Sequence, residues 1–257
     1  VGLCPPTVNL DDGGTYRSSK TQRWLWSCWL DFCEKVNRLP GRKVALLNGD
    51  IGELDTKRRS YQIVTPNKAT ILDMALNTLM PLLEVVNDVV VVRGTLAHVG
   101  KSAWLEEAIA RDLDNAITPN GDSAPFSHWH VRRVVSGVRF DIAHHATMGR
   151  LHNTEKNAAN KIAVGTLYRY KVDMEQQAPD VVIRSHNHRY ASSGDNYPLF
   201  AICSPCWTTA TEFVYRVSQE NTLASIGGLA FVCYDGEYQY HKYLYDYPKA
   251  SLRWKNL

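Results

Sequence analysis

Four short clusters of Asp, Thr and His in this 257-residue chain share one position. Each follows a run of aliphatic residues. Asp50 follows residues 44–47, Thr95 and His98 follow 89–92, His144 and His145 follow 140–143, and His186 and His188 follow 181–183. Carboxylate and imidazole together suit Mn, Fe, Zn or Ni. Two such ions held a few ångströms apart can share a hydroxide, lower its proton affinity and clamp phosphoryl oxygens. Any one of these histidines alone reads as an ordinary hydrogen-bonded side chain. Four clusters, all placed after strands, read as a site, because ligands of open α/β sheets gather beyond the carboxyl ends of the strands.

The elements that must position these clusters are legible as periodicity. Ser18 or Ser19 caps a helix to about Asn37, with Trp24, Leu25, Cys28, Trp29, Phe32 and Val36 on one face. Leu39-Pro40-Gly41 stops it, and 43–47 reads as a strand ended by Asn48-Gly49-Asp50. A second helix covers 68–86, with Pro81 at a kink position. Residues 88–93 form a continuous β-branched run, as in a strand covered on both faces. A helix follows over 102–115, then strands within 131–142 turning at Ser136-Gly137, a helix over 154–177 and a strand over 180–184. Strands over 199–203, 229–234 and 238–245 close the chain, the last two joined by Asp235-Gly236. Residues 1–17, rich in Pro, Gly and Asp, read as an irregular loop. Alternating helices and strands predict an α/β fold, with a second, more antiparallel sheet packed on the first.

Composition narrows the function classes. Apolar residues make up 44% and charged residues 21%, which excludes disorder and low-complexity architectures. No apolar run reaches bilayer length. The net charge of +3 permits polyanionic partners without requiring them. Lys57-Arg58-Arg59 reads first as a solvated turn and second as a phosphate-facing patch. Six cysteines form no disulfide framework, and the CxxC spacing of Cys203 and Cys206 has no second pair to complete a zinc site. A reducing, cytoplasmic setting is therefore expected.

The four clusters together resemble the calcineurin-like metallophosphoesterase family. Gly49-Asp50-Ile51-Gly52-Glu53 is similar to its G-D-x-x-[DE] motif, and Ala143-His144-His145 to its lone strand-end histidine. Ser185-His186-Asn187-His188 is similar to its G-H-x-H motif, with Ser in place of Gly. The segment from Arg93 to His98 stands where G-N-H-[DE] belongs, with Thr95 at the position of the Asn and the His two residues late. The resemblance implies two packed mixed β-sheets flanked by helices, a four-layer α/β/β/α sandwich forming one domain over 1–257. It implies two divalent metal ions, Mn foremost, with Fe, Zn or Ni as alternatives. Asp50 would bridge them, His144 (or else His145) and His186 would bind the second, and His188 the first. His98 would contact the phosphate and protonate the leaving oxygen. Thr95, Arg150 and Arg189 would face the substrate. Glu53 and Asp55 would lie behind the ligands or at the surface; His128 reads first as a structural residue and second as one lining the cleft, and His152 is a lesser candidate for substrate contact.

The family's first motif, D-x-H at the end of its first strand, is absent from this chain. The expectation is that this strand and motif lie just upstream of Val1. The implied activity is hydrolysis of a phosphodiester or phosphomonoester, with a nucleotide or nucleic acid favoured as substrate and no membrane partner. The alternative is a degenerate, non-catalytic scaffold of the same fold that binds metal or a protein. The tyrosines at 240, 243, 245 and 247, with Trp254, suit either an interface or a cover within the monomer.

Overall fold

The computed structural model describes residues 2–54, 63–118, 126–146, 157–209 and 223–248. Asp55, Lys57, Arg58, Arg59, Arg150, His152 and Trp254 lie outside the described residues. The chain opens with a small antiparallel pair, β1 (Thr7–Asn9) and β2 (Thr15–Arg17). This corrects the expected irregular loop. Asp11-Asp12-Gly13-Gly14 makes the turn: Gly13 takes a φ of 82°, and the Gly14 amide donates to Asp12 Oδ1 at 2.8 Å.

Helix α1 (Lys20–Asn37) starts at Ser19 with a reciprocal cap. The Gln22 amide donates to Ser19 Oγ, and the Ser19 amide donates to the Gln22 side chain. After β3 (Val44–Asn48), helix α2 (Lys68–Leu83) continues through Pro81 but ends two residues later. Strand β4 (Asp88–Val92) follows. The helix expected over 102–115 is present as α4 (Trp104–Asp112), shorter at both ends, and is preceded by a short α3 (Leu96–Val99) and a 3-10 turn at Lys101–Ala103. Ser102 and Ala103 take left-handed φ values of 56° and 53°, which break the helical run. The remaining elements are β5 (Ser127–His128), β6 (His130–Val135), β7 (Val138–Ala143), α5 (Ala158–Tyr168), β8 (Val181–Arg184), β9 (Ala191–Ser192), β10 (Phe200–Cys203), β11 (Ile226–Tyr234) and β12 (Glu237–Tyr245).

Two main sheets result. One is the three-stranded β3-β4-β5, the other the five-stranded β6-β7-β8-β10-β9. The first is wholly parallel where a mixed sheet was expected, because β11 and β12 pair only with each other among the described strands. The second is mixed: β7, β8 and β10 run parallel, with β6 and β9 antiparallel at its edges. The period-2 alternation of β4 welds the layers. Val89 and Val91 join the core with α1, α2 and α4, while Val90 and Val92 join Val131, Phe140 and Ile183 between the sheets. On the outer face of the second sheet, Val182 and Ala201 meet Ala163 of α5. The order helix, sheet, sheet, helix follows.

The β11–β12 hairpin is held at both ends. At its open end Cys206 bridges to Ile226, and the Gly227 amide donates to the Cys206 carbonyl at 3.1 Å. At its tip the Gly236 amide donates to the Ser136 carbonyl of the β6–β7 turn at 2.7 Å. The late aromatics cover the monomer's own core: Tyr243 meets Phe32, Tyr245 meets Trp207, and Tyr247 meets Trp24. No helix among the described residues is long and apolar enough to cross a membrane.

Candidate metal centre

The carboxyl ends of β3, β4, β7 and β8 converge. Gly49 leaves β3 at a φ of 79°, and Asp50 follows at 54°. A side chain at Gly49 would overlap the His144 ring, and one at Gly94 would overlap Asp50. Glycine at both positions lets the turns after β3 and β4 touch. Asp50 Oδ1 accepts from the Thr95 amide at 2.5 Å, and Oδ2 from the Thr95 hydroxyl at 3.1 Å.

His144 Nε2 lies 2.9 Å from Asp50 Oδ2. His186 Nδ1 lies 3.3 Å from His144 Nε2 and 3.9 Å from Asp50 Oδ2. One ligand atom from each of Asp50, His144 and His186 falls within 4.8 Å of the others, a spacing that can hold one ion. The donor set fits: one carboxylate and two imidazoles suit Mn, Fe, Zn or Ni. The tautomer of His144 fits as well. Its Nδ1 stands 2.7 Å from the Asn48 carbonyl, which can only accept, so Nδ1 carries the proton. In the neutral ring Nε2 then presents its lone pair toward Asp50 and His186, the orientation that a carbonyl behind a metal-binding imidazole fixes.

The charges of these groups are coupled. Burial alone would push the Asp50 carboxyl up, but the neighbouring His144 and His186 imidazoles, with the Thr95 amide, hold it far below the usual carboxylate range. For His144, burial opposes protonation, yet the Asp50 carboxylate outweighs it and raises the pKa. His145 is lowered, first by burial and then by the neighbouring imidazoles. Its ring lies 5.1 Å from those of both His144 and His186, so it stacks on the site while His144 points into it.

His188 lines the same cavity, but its ring is not among the three gathered ligands. Burial, chiefly, lowers its pKa to about 4. His186 and His188 both take left-handed φ values, 71° and 57°, uncommon outside Gly, Asn and Asp. His98 also lines the cavity, and its Nδ1 is paired with the Glu53 carboxylate. This gives Glu53 a concrete place behind His98. Thr95 faces Asp50, and its hydroxyl sits 3.0 Å from His186 Nδ1. Among the described residues one three-ligand group is gathered, where two ions were expected.

Two residues went unseen in the sequence. Glu106, fully buried in α4, accepts from the Asp50 amide at 2.7 Å and from the Gly94 amide at 2.9 Å. Burial raises its pKa to about 7, and the Asp50 charge adds to this. It ties the two metal-site turns together from behind. Its only signal is a carboxylate among the apolar positions Leu105, Ile109 and Ala110. Asn48 is the second: its amide donates to Ser185 Oγ at 2.7 Å, linking β3 to the start of the His186 turn.

No protein-family profile matches this chain, and no curated protein matches it. Among solved structures, a Vps29 single mutant from Entamoeba histolytica superposes at a TM-score of 0.41 with 11% identity. The match covers 84% of this chain and 89% of that one. A likeness of that size carries no functional information, so the α/β/β/α layering and the strand-end metal centre rest on the geometry of this chain alone.

Proposed function

We propose that this chain is a metal-dependent phosphoesterase centred on Asp50, His144 and His186. The observation that supports the reading best is the His144 ring. Its proton is committed to the Asn48 carbonyl, which leaves Nε2 aimed at the Asp50 carboxylate and a second imidazole. A bound divalent ion would supply Lewis-acid polarisation of the phosphoryl oxygens and a more acidic attacking water. The protein's own groups do the rest. Asp50 and the two imidazoles fix the ion against the strand ends. His98, oriented by Glu53, stands in the cavity wall to donate a proton to the leaving oxygen. Thr95 orients Asp50 through its amide and hydroxyl. Arg189, one residue beyond His188, and Arg150, outside the described residues, are offered as phosphate-facing cations. A phosphodiester of a nucleotide or nucleic acid is the favoured substrate class, and Mn the favoured ion.

The test is a calorimetric Mn²⁺ titration with hydrolysis of bis(p-nitrophenyl) phosphate, on the native chain and on Asp50→Asn. Metal uptake with Mn²⁺-dependent hydrolysis, both lost in Asp50→Asn, supports the reading. Metal uptake without hydrolysis of any phosphate ester would move the non-catalytic scaffold ahead, which the single three-ligand group favours. No uptake overturns both.

A further inference from the structure

Strand register brings one more side chain to the rim of the metal centre. β5 runs parallel to β4 with Val92 opposite His128, and the Arg93 amide donates to the His128 carbonyl at 2.8 Å. β6 starts at His130, which pairs with Ala143, the residue before His144. Trp129 is the single residue between these two ladders. It therefore occupies the corner where the carboxyl end of the first sheet meets the His144 end of β7. Beyond Arg93 on the neighbouring strand come Gly94 and Thr95, the residue that holds Asp50. At about 4.8 Å between strands, the backbone of Trp129 stands about one strand from the Thr95 turn and two, roughly 10 Å, from the Asp50 turn.

Trp129 is 50% exposed, the most exposed tryptophan among the described residues. A single apolar side chain at a surface needs no explanation, but this one is braced. The Arg93 guanidinium lies 5.6 Å from its ring centroid. Arg93 is itself fixed: Nε donates to Ser127 Oγ at 3.0 Å, and Nη2 lies 3.5 Å from the Glu107 carboxylate. Glu107 also accepts from the Phe126 and Ser127 amides, which ties α4 to β5. The core gains nothing from this bracing, because Trp129 joins none of the apolar clusters among the described residues. A held cation behind the indole fixes its orientation, so little freedom remains to be lost when a partner covers the exposed half.

We propose that Trp129 is a specificity-determining residue, stacking on the base of a nucleotide whose phosphate lies at the metal centre. Every nucleobase has a π face, and aromatic side chains recognise it with little regard to which base it is. One ring serves one base, so the recognised unit is a single nucleotide. The spacing suits it, since a base is joined to its phosphate through a ribose and needs a platform beside the reacting group, not on it. This inference rests on the phosphoesterase reading for the phosphate and adds the group attached to it.

Calorimetric titration in the presence of Mn²⁺ decides it, with two phosphonates in which a P–C bond replaces the ester so that nothing turns over. One is the 5′-methylenephosphonate analogue of AMP, and the other is that of ribose 5-phosphate, which has no base. The native chain should bind the first at least about fivefold tighter, the lower end of what one stacked base contributes. Trp129→Ala should bind the two equally, with its affinity for the ribose compound unchanged. Trp129→Leu, which keeps bulk without a π face, should do the same, and it keeps the test open if the alanine variant folds poorly. Trp129→Phe should retain most of the preference. Equal binding of the two compounds by the native chain, or a preference that the alanine and leucine variants retain, overturns the inference and leaves the phosphoesterase reading standing. Failure of both compounds to bind strikes the phosphoesterase reading instead. Adenosine alone then tests the ring: it should quench indole fluorescence more in the native chain than in Trp129→Phe, and equal quenching, or none, overturns this inference too.

Discussion

Two carboxylates, Asp50 in the turn after β3 and Asp141 on β7, each touch imidazole; Asp141 is buried and Asp50 half-buried. Asp141 is closed. Its Oδ1 accepts from Arg184 Nη2 at 2.6 Å and lies 2.9 Å from His130 Nε2, and its Oδ2 accepts from the Tyr170 hydroxyl at 2.8 Å. Among the described residues, the Asp50 carboxylate meets Thr95, His144 and His186. A guanidinium is a permanent cation with fixed geometry, so Asp141 is neutralised whatever the solution contains. An imidazolium can give up its proton to a metal ion, so the positive charge opposite Asp50 is exchangeable. One cluster is a strut and the other a receptor. What separates them is the permanence of the partner charge.

Substitutions break this comparison from opposite sides. The largest effect is expected at Asp50. Asp50→Asn keeps the fold and lowers Mn²⁺ affinity at least about 100-fold, read by calorimetry, because it removes the only carboxylate of the ligand set. Asp141→Asn is expected to do the reverse. It leaves Arg184 buried without its counter-charge, at a cost of about 3–5 kcal/mol. Thermal denaturation should show a Tm lower by roughly 10 °C, at about 2–4 °C per kcal/mol in a chain of this size, with Mn²⁺ uptake at low temperature retained. Equal loss of metal and stability in both variants would erase the distinction.

Smaller effects sharpen it. Glu106→Gln keeps one acceptor for the paired amides of Asp50 and Gly94 and loses the other. Metal affinity should fall about tenfold, as for outer-shell partners generally, and Glu106→Ala should be worse. The acid limb of stability offers the finest test. Burial would raise the Asp141 carboxyl, but His130 and Arg184 hold it well below the usual range. A depressed carboxyl stabilises the native state above its unfolded pKa of about 3.9, and that contribution is lost as pH falls further. The native chain should therefore lose Tm steeply below about pH 4, and Asp141→Asn should show a shallower acid limb at its lower Tm.

The positions of Asp50, His144 and His186 were readable because each residue ends an apolar run, and a strand end is a local signal. The layering was readable for the same reason, since the continuous run 88–92 can only be a strand covered twice. Glu106 was not readable. A carboxylate in the first turn of a helix ordinarily offsets the helix dipole at the surface, and only the folded chain shows that it turns inward to two amides. The break at Ser102 and Ala103 was hidden as well, because both are ordinary residues in a conformation that Gly usually marks. The expected pair of ions depended in part on a D-x-H motif that is not found in this sequence, and the described residues gather one group.

The two anchors of the β11–β12 hairpin carry a consequence for motion. A beam clamped at both ends cannot swing, so the hairpin should move with the elements that hold it, Cys206 at one end and the β6–β7 turn at the other.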